Sequence, residues 1–269
     1  MNLLAFDTST DTLSIAVARD GTVWQHTGPG GAQASATLIP AVAQLLERAG
    51  LDFASLDAIA FGRGPGSFTG LRTACAVAQG LALGSESRGN GRGVPVLPID
   101  TLWALAEQAR LQYGCTQVVA VLDARMDEVY AARYQWQAGA WHRHTSDGSD
   151  GSDGSEFSLC KPEALLVPPG WTVAGNAQAA YGERLAPDAT HVHALPTAAA
   201  LLSLSPALLA AGSAVTAEHA LPLYVRDKVA KTTAERMAER DTKAAAAVAA
   251  SAAPAVPTAA LSPTSQPQP

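Results

Sequence analysis

The sequence predicts an α/β fold in which one arrangement of strands is used twice. Three observations predict it. Short apolar runs alternate with helical stretches through most of the 269 residues. The opening order of apolar strand, Asp, turn, strand, turn and Trp-bearing strand recurs in the second half, with Asp7 to Trp24 spanning 17 residues and Asp123 to Trp141 spanning 18. No apolar run reaches the roughly 18 residues that a membrane helix requires.

The elements follow in order. Residues 2–6 form a short apolar strand, and residues 13–18 alternate and are rich in β-formers. Asp20-Gly21 is a hairpin signal, so 22–26 is the returning strand. Residues 37–49 carry Leu38, Val42, Leu45 and Leu46 on one helical face, with Ser35 or Thr37 as cap and Pro40 in the first turn. A strand at 57–61 leads to a helix at 69–83, whose stripe is Leu71, Cys75, Ala78 and Ala82. A strand at 94–99 precedes a helix capped by Asp100 or Thr101 and carrying Leu102, Leu105 and Ala109. The second round has strands at 118–122 and 128–136, a turn at 137–139 and a strand around Trp141. A strand at 171–174 and helices near 177–185 and 197–211 follow, like the second half of a repeated lobe.

Two segments cannot build a core. Residues 145–156 read TSDGSDGSDGSE, which predicts a flexible acidic loop. Residues 244–269 are uncharged and rich in Ala, Pro, Ser and Thr, which predicts a disordered tail. Residues 223–243 are strongly charged, with Asp227/Lys231, Lys231/Glu235 and Glu239/Lys243 at i,i+4, which suits a solvated terminal helix or a grip for a partner.

Hydrophobic residues make up 48% of the chain, but 56 of them are alanine, so the core is leaner than that share suggests. The net charge of -6 argues against a free-standing nucleic-acid binder. Four of the acids (Asp147, Asp150, Asp153 and Glu156) lie in the repeat, so the remainder is nearly neutral. The opening Met1-to-Asp7 stretch lacks a basic region and does not read as a signal peptide. Cys75, Cys115 and Cys160 are odd in number and widely spaced, as expected of a reduced cytoplasmic protein. The six histidines show no HExxH or HxxxH spacing, so no metal site is expected. Nor is there a GxSxG elbow.

Two motifs carry chemistry. Asp7-Thr8-Ser9-Thr10 puts a carboxylate and three hydroxyls at a hairpin corner, which suits Mg²⁺-phosphate or an ordinary Asx turn. Asp123 and Arg125 form the matching corner, where a nucleotide or a local ion pair fits equally. The stretch Gly64-Pro65-Gly66-Ser67-Phe68-Thr69-Gly70-Leu71-Arg72 presents amides at a helix start and suits an anion or a tight strand-to-helix connection. It is neither a Walker A loop nor a dinucleotide fingerprint. The small residues behind it predict close packing, on the chain's own sheet or on a partner helix.

These two motifs, with Pro98-Ile99-Asp100-Thr101-Leu102, the run from Leu122 to Tyr130 and the run from Pro222 to Lys228, resemble the bacterial tRNA threonylcarbamoyladenosine biosynthesis family TsaB, also called YeaZ. The resemblance spans about residues 1–232. It implies an actin-like ATPase (sugar kinase/Hsp70/actin) fold with two duplicated lobes, each a mixed sheet flanked by helices. The lobes are expected at 1–100 and 101–222. It also implies a non-catalytic scaffold that activates a catalytic paralogue, TsaD, beside the ATPase TsaE. The reaction moves a threonylcarbamoyl group to N6 of the adenosine next to the anticodon, with tRNA met only through the complex. No cofactor of the chain's own is implied, and ATP or ADP with Mg is expected at a subunit boundary. Helices 37–49 and 69–83 are the expected partner interface, with Leu38, Val42, Leu45, Leu46, Leu71, Cys75, Ala78 and Ala82 as its residues; a homodimer stays open. One departure is Ala34-Ser35, where many family members carry His-Ser. Two other classes compete: a small-molecule kinase using Asp7 and Asp123 around Mg-ATP, and a glycoprotease-like peptidase, which the missing metal motif disfavours.

Overall fold

In the first half, β1 (Leu3–Asp7) is wholly buried and pairs antiparallel with β2 (Thr12–Arg19). Asp20 and Gly21 both take positive φ (51° and 83°), the turn that matches strand twist, and β3 (Thr22–Pro29) returns along β2. Helix α1 (Ala34–Ala49) ends at Gly50, which is left-handed. Strand β4 (Ala58–Gly64) lies parallel to β1, then come α2 (Phe68–Glu86) and β5 (Val96–Asp100). The sheet order is β3-β2-β1-β4-β5.

The second half repeats this. After α3 (Thr101–Tyr113), β6 (Gln117–Arg125) pairs antiparallel with β7 (Glu128–Gln137), and β7 with β8 (Ala140–His144). Ala138 and Gly139 repeat the positive-φ turn (53° and 82°). Strand β9 (Ser158–Cys160) adds to β7. Strand β10 (Thr172–Gly175) runs parallel to β6, and after the short α4 (Ala177–Tyr181) β11 (Thr190–His193) runs parallel to β10. The order β11-β10-β6-β7-β8 is the first sheet's order again. The expected duplicated pair of mixed sheets is therefore present.

This computed structural model describes residues 1–86, 93–144 and 157–225. The acidic repeat, the tail and all but the first three residues of the predicted terminal helix lie outside them.

Layers form around the sheets. Phe6, Ile15, Phe61 and the apolar faces of α1 and α2 fill the outer side of the first sheet. Its inner side, with Leu3, Ala60, Leu97 and Ile99, packs on α5 (Ala198–Ala210). Helix α3 covers one side of the second sheet through Leu102, Leu105 and Ala109. Buried Glu107 of α3 ties this middle layer together: it accepts from Arg110, from Trp141 Nε1 at 2.8 Å and from Ser203 Oγ at 2.5 Å. No helix among the described residues is long and apolar enough to cross a membrane.

Several expectations change. The residues 198–210 serve the first sheet, although their place in the sequence groups them with the second; an apolar helix does not announce which sheet it will cover. Helix α1 starts at Ala34, three residues early, because a 3-10 turn at Gly31–Gln33 runs straight into it. Pro40 then sits inside the helix, on its exposed face, where solvent has access to the carbonyl that proline cannot bond. Residues 223–225 are not helical: they form an extended strap, with Leu223 N donating to Arg63 O at 2.7 Å.

Candidate functional site

The first corner is closed. Asp7, Thr8, Ser9 and Thr10 are 0, 0, 2 and 8% exposed. Asp7 Oδ1 accepts from Ser9 N at 2.9 Å and from Ser9 Oγ at 2.6 Å, an Asx turn. Thr8 Oγ1 donates to Gly70 O at 2.7 Å, and Thr10 Oγ1 accepts from Thr12 N at 3.2 Å. The glycine-rich loop lies directly on this turn, with Ser67 N donating to Ser9 O at 2.7 Å. A Cβ on Gly66 would stand 2.6 Å from Ser9 O, and one on Gly70 would fall on Thr8 O. Glycine is thus required for backbone-to-backbone contact. Ser67 also takes the amides of Gly70 (through Oγ, 3.4 Å) and Leu71 (through its carbonyl, 2.9 Å), so these amides of the first turn of α2 face inward.

Asp7 Oδ2 has no hydrogen-bond partner and lies where a Cβ on Gly62 would be. Burial pushes the Asp7 carboxyl up to about 6, against the smaller opposing pull of the Ser9 hydroxyl and amide. The Thr8, Ser9 and Thr10 hydroxyls that would meet a Mg-bound phosphate are bonded within the chain, and the carboxyl is shielded from solvent.

The second corner is open and charged. Asp123 repeats the Asx turn, with Oδ1 accepting from Arg125 N at 2.8 Å. Tyr181 OH donates to the same oxygen at 2.8 Å, and Asn176 Oδ1 accepts from Asp123 N at 3.0 Å. Arg125 pairs with Asp123 at 3.0 Å and reaches Asp11 of the first corner at 3.4 Å. Burial and the neighbouring Asp123 push the Tyr181 phenol up to about 12. Arg125, Met126 and Asp127 all take positive φ (60°, 57° and 64°) at the hairpin tip. Arg184 holds that tip, pairing with Asp127 at 2.8 Å and with Glu163, and it keeps both carboxyls below their usual range.

The structure brings Asp7–Thr10 and Gly64–Gly70 into one packed unit, with Asp123 and Arg125 at a separate corner joined to it by the Arg125–Asp11 pair. The expected interface residues are corrected. Leu38, Val42, Leu45, Leu46, Leu71, Cys75, Ala78 and Ala82 are all buried inside the chain, at most 6% exposed. Helical periodicity marks the apolar face, and that face meets the chain's own sheet. The outward faces carry Ile39, Pro40 and Ala43 on α1 and Ala76, Gly80, Leu83 and Gly84 on α2. A Cβ on Gly80 or Gly84 would meet nothing within 4 Å, so nothing within the chain crowds either glycine. Their i,i+4 spacing is the signal that could have found this face from the sequence.

Two sheets of one order, each closed by an Asx turn at the same corner, define an α/β protein of the actin-like ATPase type. The family model described as TsaD, tRNA N6-adenosine threonylcarbamoyltransferase, matches residues 29–256. The tRNA threonylcarbamoyladenosine biosynthesis protein TsaB of Escherichia coli (strain K12) is 34% identical over 233 residues, 86% of this chain and 96% of that protein. TsaB of Haemophilus influenzae is 32% identical, over 85% of this chain and 95% of its own length. The solved structure of YeaZ from Pseudomonas aeruginosa superposes with a TM-score of 0.72 at 38% identity, covering 83% of this chain and 99% of that one. The chain belongs to the TsaB/YeaZ family.

Proposed function

We propose that this chain is the non-catalytic partner subunit in the biosynthesis of threonylcarbamoyladenosine in tRNA. It binds a TsaD-type paralogue, which performs the transfer, and acts with the ATPase TsaE; tRNA is met through the assembly. The observation that carries the reading is the outward face of α2, where Gly80 and Gly84 lie exposed one turn apart with open space around them. Glycine inside an exposed helix costs about 1 kcal/mol relative to alanine. A second helix approaching backbone to backbone gives that cost a use. The closed Asp7 corner supports the same reading, since its hydroxyls are engaged within the chain and its carboxyl is shielded from solvent.

Co-purification with TsaD and TsaE, with and without ATP, tests the proposal. The wild-type chain is expected to co-elute with TsaD, and Gly80→Leu to elute alone while melting as a folded protein. Transfer of threonylcarbamoyl by the isolated chain without TsaD would overturn the non-catalytic role.

A further inference from the structure

Phe68, Arg72, Ala76, Gly80 and Gly84 are all exposed and follow one another at i,i+4 steps, so they make a single ridge along α2. One end of the ridge is small. The other is an ordered cluster of large side chains. Phe68 and Tyr224 are 38% and 46% exposed, with ring centroids 5.3 Å apart. The Arg72 guanidinium lies 3.9 Å over the Phe68 ring, and its Nε donates to Tyr224 OH at 3.1 Å. Arg72 has no carboxylate partner among the described residues.

Tyr224 is held there by the strap. Ala220 O accepts from Cys75 Sγ at 3.0 Å and from Gln79 Nε2 at 2.9 Å, and Leu223 N donates to Arg63 O. The strap therefore runs along the flank of α2, with Leu221 exposed on it. Phe, Tyr and Arg side chains fixed at the surface before binding have already lost the freedom that an interface would take from them. A guanidinium laid on a ring, with no carboxylate partner among the described residues, presents a preset fork for a carboxylate. Arg72 covers the face of Phe68, so that face is closed to a stacking nucleobase.

We propose that Phe68, Arg72 and Tyr224 form a second contact point for the protein partner, receiving a carboxylate side chain flanked by apolar residues. This rests on the reading that the partner lies on the outward face of α2. The ridge supplies the occupant: a partner helix seated at Gly80 reaches Arg72 within about 12 Å, the rise of eight helical residues.

The test titrates the full chain against the TsaD-type paralogue at low and high salt, using Arg72→Glu, Arg72→Lys, Tyr224→Phe and Gly80→Leu, each checked by thermal melting. Arg72→Glu is expected to weaken binding about tenfold or more and to flatten its salt dependence. Arg72→Lys keeps the charge and recovers part of the affinity, and Tyr224→Phe loses a smaller share. Wild-type affinity and salt dependence in Arg72→Glu would overturn the contact point, while loss of binding in Gly80→Leu would leave the helix-face reading standing. Wild-type binding by Gly80→Leu would instead remove the helix-face reading. If Arg72→Glu lost affinity for tRNA but none for the protein, the proposal would be overturned in favour of a nucleic-acid contact.

Discussion

The two aspartate corners begin alike and end as opposites. Asp7 and Asp123 stand at the ends of matching strands, and each accepts from the amide two residues on. Around Asp7 the chain spends glycines to bring backbone against backbone, and the carboxyl is sealed with one oxygen unpartnered. Around Asp123 it spends side chains: Arg125, Tyr181 and Asn176 pair with its polar atoms near the surface. A duplicated frame thus keeps its hydrogen-bond turn while its surroundings diverge. Stability at the first corner comes from close packing, and at the second from compensated charge.

The comparison is broken most sharply by adding one carbon. Gly70→Ala drives a Cβ into Thr8 O, so the turn and the start of α2 must part. A loss of more than about 3 kcal/mol is expected in urea unfolding, against about 1 kcal/mol for Asn176→Ala at the second corner. Equal losses would show that the first corner is not held by close approach.

The next effect is one of pH. The Asp7 carboxyl, ordinarily near 3.8, is pushed up to about 6 in the fold. Between those values the folded chain binds more protons than the unfolded one, so this group's contribution is fully present below 3.8 and is lost as pH rises through about 6. A gap of about two pKa units corresponds to about 3 kcal/mol. Unfolding midpoints measured from acid to neutral pH should fall for the wild type relative to Asp7→Asn across this window. Parallel curves would mean that the carboxylate finds water or a partner.

The smallest effect belongs to the open corner. The Arg125 and Asp11 side chains are 72 and 89% exposed, so their pair is screened by solvent and salt. Arg125→Ala should cost below about 1 kcal/mol, most of it from the Asp123 contact, and the difference should shrink when salt is added. A salt-independent loss above that would sharpen the contrast by showing that the strained tip depends on this arginine.

The frame was legible because its signals are local. Asp20-Gly21 and Ala138-Gly139 both make the positive-φ hairpin turn, and the strand order after them repeats. The apolar stripes of α1 and α2 were legible as faces, but their destination was not: Leu38 and Ala78 pack on the first sheet, and no periodicity distinguishes that from a partner. The Asp7 motif was readable as a turn or as a phosphate site. That the glycine-rich loop lies directly on this turn, through Gly62, Gly66 and Gly70, is visible only in the folded chain. The strap carries no periodic pattern, and Tyr224 meets Arg72 from 152 residues away.

One tie reaches across nearly the whole sequence. Ala198 N, at the start of α5, donates to Ser14 Oγ on β2, a separation of 184 residues. Most of the cover on the inner side of the first sheet comes from α5, with Ala104 and Trp103 of α3 beside it. As the chain leaves the ribosome, Leu3, Leu97 and Ile99 must therefore wait for residues 198–210 before that side can be shut. The half that is made first is the half that is finished last, and an N-terminal fragment ending before α5 would carry a bare apolar wall prone to sticking.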